Sequence, residues 1–291
     1  MKNNKKSLVK KIICIVVAVT ITFTILSLGY GNFYVDVEHF IVETNNLSSK
    51  SNGYKIAHIS DYHNRASELV DKQIFDALET EKPDVIVVTG DLVDTDKTNV
   101  DVAILFVENL CKFAPVYYVM GNHESNVKRA DETAFNKLCV GVKKAGANLL
   151  INDKAIINLP EGDVINIYGI HDPYFYGGYE QVYQRSRALC EEFTLNPDEY
   201  NILLAHHPEP LQEYSKFDFD LVFSGHAHGG QVTLFGRAIM APDQVYFPPY
   251  DEGLYEMNNT QLILSRGIGY SVASIRVFCN PHLIFTEIKT A

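Results

Sequence analysis

The chain is poor in cysteine and does not space what it has. Five cysteines, Cys14, Cys111, Cys139, Cys190 and Cys279, are scattered over 291 residues with no CxxC among them. That pattern indicates neither a thiolate zinc site nor a disulfide framework. Small buried side chains are expected, with one or two disulfides open to an exported protein. Internal repeats and low-complexity tracts are also missing. Positive charge is scarce: 25 Lys and Arg face 36 Asp and Glu, a formal charge of −11. Five of the lysines lie in residues 1–11, where no acid does, so the remainder sets twenty bases against 36 acids, a formal −16. Such a surface does not wrap a nucleic-acid backbone, which argues against nucleic acid as a partner, although small anions can still reach a locally positive site.

One absence is positive evidence. From Ile12 to Val35 no residue is charged. The run is about the length of a membrane-crossing helix, and the lysine-rich flank is expected to stay in the cytoplasm. Ser27 and Gly29 offer a weak small-x-small cleavage site, so a signal peptide is the rival reading; the run is long for one. The expected division is a basic cytoplasmic tip at 1–11, a transmembrane anchor (or uncleaved signal) at 12–31, a leading strand and linker at 32–53, and a catalytic domain at 54–291. The expected location is a single-pass protein of the cell membrane with its domain outside the cytoplasm.

After a strand-like "YVDVEHFIV", residues Thr44 to Gly53 form a polar loop. "YKIAHIS" reads as a buried strand ending at Asp61. Ser67 is placed to cap a helix in which Val70, Ile74 and Leu78 recur every four residues, closed by Pro83. "DVIVVTGD", a helix over Val100 to Phe113, and "VYYVMGNHE" continue the alternation, which signals parallel βαβ units. The second half is richer in strands: "DVINIYGI", "NILLAHHP", "DLVFSGHAH", "QLILSRGIG" and "HLIFTEI". A helix is expected over about Gly178 to Phe193 and a turn near Leu211. Two aromatic loops, "DPYFYGGY" and "APDQVYFPPYDEGLY", read as loop packing.

Polar clusters follow five of these strands: "ISDYH", "VTGD", "VMGNHE", "LLAHHP" and "FSGHAH". In parallel sheets, sites form beyond the carboxyl ends of strands. One such cluster is weak evidence, but five in order are strong. Carboxylate, imidazole and amide ligands without thiolate suit a pair of hard or borderline divalent ions. Asp91, on a sharp strand-to-turn junction, is well placed to bridge them. Two carboxylates against two divalent ions leave a net positive site, which attracts phosphate. A water between the ions would be acidified and attack in line, with the ions about 3.5–4 Å apart.

This set resembles the calcineurin-like metallophosphoesterase family. The pattern Asp-x-His, Gly-Asp, Gly-Asn-His plus an acid, His and Gly-His-x-His is met by Asp61-Tyr62-His63, Gly90-Asp91, Gly121-Asn122-His123-Glu124, His206 and Gly225-His226-Ala227-His228. The resemblance runs from about Lys55 to the C-terminus. It looks closest to the membrane-anchored bacterial branch, through "SGHAHGGQ", "SRGIG" and the leading apolar segment. It implies an α/β fold, a four-layer αββα sandwich of the metallo-dependent phosphatase type, preceded by one transmembrane helix. It further implies one metal held by Asp61, His63 and His228, a second by Asn122, His206 and His226, and Asp91 as the bridge. His123 is similar to the family's non-ligand histidine, which protonates the leaving group or steadies developing charge.

The family's His-x-Pro form is met by His206-His207-Pro208 only with His206 as ligand, leaving His207 to flank or orient. His39, His58, His171 and His282 match no ligand position. Asp94 completes "GDLVD" and is expected to cap locally. Tyr62 stands where a smaller aliphatic residue is common, and would narrow the pocket. Gly225, Gly229 and Gly230 are expected to let the backbone turn tightly against the metals, with Gln231 fixing the turn.

The expected activity is hydrolysis of phosphodiester, phosphomonoester or pyrophosphate bonds in cell-envelope or lipid-linked substrates. Two divalent ions (manganese, iron or zinc, with manganese favoured) are the expected cofactors. The alternatives are an exported nucleotidase or nuclease, and an inactive anchored binding protein. The intact ligand set argues against the last.

Overall fold

The computed structural model describes residues 2–244, 246–270 and 275–290. Helix α1, Lys2–Phe33, is continuous, and its stretch Lys10–Phe33 is apolar enough to cross a membrane, exposed along most of its length and buried against the domain only at Gly31 and Asn32. Those 24 residues extend about 36 Å at the helical rise, against a hydrocarbon core of about 30 Å.

The domain is two stacked six-stranded sheets. The first contains β1 (Asp36–Thr44), β2 (Tyr54–Ile59), β3 (Val85–Thr89), β4 (Val116–Val119), β5 (Asn148–Leu149) and β14 (His282–Thr290), in the order β1-β14-β2-β3-β4-β5. The second contains β6 (Asp153–Asn158), β7 (Val164–Gly169), β8 (Tyr200–Leu204), β9 (Leu221–Ser224), β12 (Gly253–Met257) and β13 (Thr260–Leu264), in the order β12-β13-β9-β8-β7-β6. A short hairpin, β10 (Thr233–Leu234) and β11 (Arg237–Ala238), stands apart.

Alternation along the strands builds the layers. Val85 and Val87 of β3 face the space between the sheets, where they meet Ile202 and Leu204 of β8 and Phe223 of β9. Ile86 and Val88 turn the other way, onto helices α2 (Glu68–Glu81), α3 (Val100–Leu110) and α5 (Glu132–Lys144). On the far side, Leu203 and Val222 pack with Leu189 of α6 (Val182–Glu191) and Leu211 of the short α7 (Leu211–Tyr214). A strand covered on both faces must be apolar at every position, which is why these runs read as unbroken hydrophobic sequence. The result is the αββα sandwich.

The helix expected from Val70, Ile74 and Leu78 forms with those three side chains buried, Ser67 accepting from the Val70 amide, and left-handed Lys82 ending it before Pro83. Two features differ from expectation. The sheets are mixed, because β14 runs antiparallel to β2 while β6 and β12 add antiparallel edges. The end of the "APDQVYFPPYDEGLY" segment is also not loop: Gly253 opens β12. Helices α4 (Asn122–Ala130) and α5 come as additions; Phe135, Leu138 and Val142 recur at helical spacing behind the cap Asp131. The five cysteines are unpaired.

Candidate metal centre

The polar clusters meet where the two sheets present the ends of β2, β3, β4, β8 and β9. Each chain turns sharply there. Asp61, His63, Asp91, His226 and His228 all have positive φ, between 47° and 68°. Side chains other than glycine adopt this region rarely, with Asn, Asp and His the usual exceptions. Such strain persists only where surrounding bonds over-determine it. Here Asp61 N–H donates to Gly90 O (3.0 Å), His63 N–H to Asp91 O (3.0 Å) and His226 N–H to the Asp61 carboxylate (3.1 Å). A Cβ on Gly225 would collide with the Ser60 and Asp61 side chains, so glycine there lets β9 approach β2. Gly229, at φ +56°, would place a Cβ 2.8 Å from Cys279 Sγ.

Two groups of ligating atoms result. Asp61, His63 and His228 form one: His228 Nε2 lies 3.3 Å from Asp61 Oδ1 and 3.1 Å from His63 Nε2. Asp91, His206 and His226 form the other, with His206 Nε2 3.2 Å from Asp91 Oδ2 and 3.1 Å from Asn122 Oδ1. The sets touch through Asp91, whose Oδ2 is also 3.6 Å from His63 Nε2. The seven residues expected as ligands are therefore brought together, and buried oxygen and nitrogen atoms converging without thiolate fit divalent cations. Burial alone would raise the Asp61 carboxyl, but His228 and His63 hold it below the usual carboxylate range. Burial likewise works against ionised Asp91, and His206 and His123 outweigh it.

Imidazole partners decide which ring nitrogen is free. His206 Nδ1 lies 2.6 Å from Thr89 O, so it donates there and Nε2 keeps its lone pair toward the site. His226 Nε2 lies 3.1 Å from Asp243 Oδ2, which leaves Nδ1 as its lone pair. His123 is the reverse of His206. Its Nδ1 accepts from the Thr95 amide (3.1 Å), and an amide can only donate, so the neutral ring carries its proton on Nε2. That nitrogen stands 4.0 Å from Asp91 Oδ2.

His207 goes elsewhere. Its Nε2 is 3.0 Å from Asp172 Oδ2 and its Nδ1 3.2 Å from Glu209 Oε2, while its ring packs on His226 at 4.0 Å. Although burial disfavours its charge, Asp172 and Glu209 raise His207 to about 10. Asp94 caps its own turn, accepting from the Asp96 and Lys97 amides, and faces His63 Nδ1 at 3.9 Å. Tyr62 points away from the site. It stacks on Phe106 at 3.9 Å and donates to Asp71, so it does not narrow the pocket. Gln231 closes its turn through the backbone, donating to His228 O and accepting from the Val277 amide. His58 is held in the core by Thr89 (2.8 Å), and His39 faces Glu81 at the surface. His282 is buried beside Glu38, and His171 packs on Phe175.

Three residues of the site carried no expected role. Glu124 accepts from the amides of Asp91, Leu92, Val93 and Gly121 at 2.7–3.3 Å, so it clamps the Asp91 turn to the start of α4. Burial and Asp91 push its carboxyl up to about 7, with the Gly121 amide opposing. Its signal was present, as an acid at the third position of a helix start, where capping boxes place one. Asp172 and Asp243 had no such signal, because each meets its histidine only through the tertiary fold.

A family model for calcineurin-like phosphoesterase matches residues 54–230. An uncharacterized metallophosphoesterase of Aquifex aeolicus (strain VF5) is 29% identical over 264 residues, spanning 88% of this chain and 93% of that protein. A "transmembrane protein with metallophosphoesterase domain" of Danio rerio is 28% identical, over 95% of this chain and 62% of its own length. Among solved structures, a dimetal phosphatase from Danio rerio aligns with 74% of this chain and 88% of its own at 12% identity and a TM-score of 0.40.

Proposed function

The chain belongs to the calcineurin-like phosphoesterase family, hydrolases of phosphoester bonds, and from that premise we propose a two-metal enzyme anchored on the outer face of a membrane. One observation carries the reading: Asp91 Oδ2 stands within 3.6 Å of His63 and 3.2 Å of His206, between two separate sets of ligating atoms. In this assignment Asp61, His63 and His228 hold one ion, Asn122, His206 and His226 hold the other, and Asp91 serves both. When bound, the ions supply Lewis-acid charge and an acidified, nucleophilic water. Manganese is the favoured metal.

The chain's own residues do the remainder. Glu124 holds the Asp91 turn in register. Thr95 fixes the His123 tautomer so that an Nε2–H is offered near the centre, which suits it to donate to the leaving oxygen. The net positive centre draws a phosphate inward despite the acidic surface. The lysine-rich tip at 1–11 stays in the cytoplasm, 12–31 crosses, 32–53 supplies the leading strand and linker, and 54–291 forms the domain outside. The name of the transmembrane Danio rerio relative supports a membrane setting. The anchor favours phosphorylated envelope or lipid-linked compounds as substrate.

The test is a hydrolysis screen of monoesters, diesters and pyrophosphates on the full chain in detergent, with metal content measured. Two metal equivalents per chain and turnover of one class, stopped by chelation, are expected. Full metal content with no turnover would favour a binding protein. Turnover confined to nucleotides would favour the exported nucleotidase.

A further inference from the structure

The catalytic domain carries an apolar rim beside the end of α1. Phe235 is 97% exposed, Tyr246 71% and Phe247 65%, and Leu234, Met240 and Phe278 are each more than half exposed. Scattered exposed apolar residues need no explanation, but a contiguous group does. These residues are tied together by backbone. Thr233 N–H donates to Val277 O (3.0 Å), and Thr233 Oγ1 donates to Phe278 O (2.6 Å), joining the hairpin to the 275–279 segment.

The same segment is fastened to the membrane helix. Asn32 Nδ2 donates to Arg276 O (2.9 Å), and Arg276 N–H returns a bond to Asn32 Oδ1 (2.8 Å). Asn280 reaches Tyr34 O (3.2 Å), and Arg65 donates to Asn32 O. Depth follows from one contact. The Phe278 ring lies 6.3 Å from that of Phe23, seven residues up the helix from Tyr30. That is about 10 Å along the axis. Counting the roughly 20 residues of a membrane span from Ile12 ends near Gly31, so Phe23 lies within the hydrocarbon. A domain residue touching it must enter the bilayer too.

We propose that the β10–β11 hairpin, the Tyr246–Phe247 loop and Phe278 insert into the bilayer interface and hold the metal centre against the lipid surface. The proposal rests on α1 being a retained anchor, as read above. Aromatic side chains with a polar edge are the residues that settle at this level, and the stacked pair Tyr30 and Tyr34 marks it on the helix itself. The rim is also continuous with the site, because Asp243, between Met240 and Tyr246, touches His226. A phosphorylated headgroup would then reach the metals from the membrane plane, without leaving its bilayer. The occupant of this surface is lipid, since the helix that carries it is already embedded.

The chain contains no tryptophan, so each substitution places a single reporter. Full-length Phe235→Trp, Ile21→Trp and Asn45→Trp are reconstituted in phosphatidylcholine and phosphatidylglycerol vesicles, with and without bromine on the acyl chains. Asn45 follows β1, about 30 Å from the anchor end at the strand rise. Expected are quenching by brominated lipid and blue-shifted emission for Phe235→Trp and Ile21→Trp, with neither for Asn45→Trp. Phe247→Trp is a second rim reporter, should Phe235→Trp fold poorly. Quenching at Ile21 but at neither rim position overturns the docking and leaves the anchor standing. No quenching at Ile21 overturns the anchor, and the docking falls with it. Quenching at Asn45 as well overturns the proposed orientation.

Discussion

The two sheets meet at the proposed metal centre with different chemistry and different means of holding it. The first sheet supplies both carboxylates, Asp61 and Asp91, the Asn122 amide, and two histidines, His63 and His123. Asp61, His63 and Asp91 sit in strained turns bonded to one another by backbone, and Asn122 and His123 open α4, with Glu124 collecting four amides around Asp91. The second sheet supplies imidazole only: His206, His226 and His228. Two of them are oriented by groups outside their own turns, Thr89 for His206 and Asp243 for His226, while His228 Nε2 faces Asp61 across the sheets at 3.3 Å. The first half is therefore fixed within its own sheet, whereas His206 and His228 meet their partners only in the assembled sandwich.

The sharpest way to break that comparison is at the joint. Asp91→Asn is expected to empty both metal positions, because a neutral amide cannot stand in for a carboxylate shared by two cations. Metal content per chain by mass spectrometry checks it. Loss of a single equivalent would make Asp91 a terminal ligand of one ion. Next in size is His206→Ala, expected to remove one ion and most turnover. His207→Ala should be milder, by about 10–100-fold at most, since it orients its neighbours from between two acids. The reverse order of severity would transfer the ligand to His207.

A third variant probes catalysis apart from binding. His123→Ala should leave both metals in place, because the Thr95 amide keeps the ring in the tautomer that donates rather than ligates. Turnover of an alkyl phosphodiester should fall by about 10²–10⁴-fold, the usual worth of general acid help. A nitrophenyl diester, whose leaving group needs no proton, should suffer far less. Equal losses on both would assign His123 to charge stabilisation instead, and metal loss would make it a ligand.

What could be read in advance follows a different line, between local motifs and long-range contacts. First-sheet residues lie in short motifs, each at the end of an apolar run, so strand and site were legible together: "DVIVVTGD" gives β3 and Asp91 at once. His206, His226 and His228 were legible for the same reason. What was not legible depends on contacts with no periodicity to betray them. The insertion of β14 between β1 and β2, antiparallel to β2, joins strands more than 200 residues apart, a pairing that no local pattern encodes. Tyr62 was expected to face the pocket and instead fills the space over α3, because Phe106 offers a ring and Asp71 an acceptor. Asp243 lies in a loop of aromatic residues, and nothing in "APDQVYFPPYDEGLY" separates it from a surface turn.

Asp243 gives the smallest effect and the finest discrimination. Its Oδ2 accepts from His226 Nε2 and from the Tyr174 hydroxyl at 2.8 Å, so it both orients the imidazole and places a negative charge behind it. Asp243→Ala removes both functions, and a loss of about 10–100-fold in affinity is expected for the ion that His226 serves. Asp243→Asn can keep the orienting bond through its carbonyl oxygen while losing the charge, so its loss should be smaller. An ion held by Asp61, His63 and His228, as proposed, would share no ligand with this histidine and should be bound as before, except through Asp91. Stepwise metal titration of the two variants therefore ought to weaken one of two binding steps, in the order Ala, Asn, wild type. Equal weakening of both steps would show that the centre behaves as one unit, and that the separate support of the two sheets has no energetic meaning.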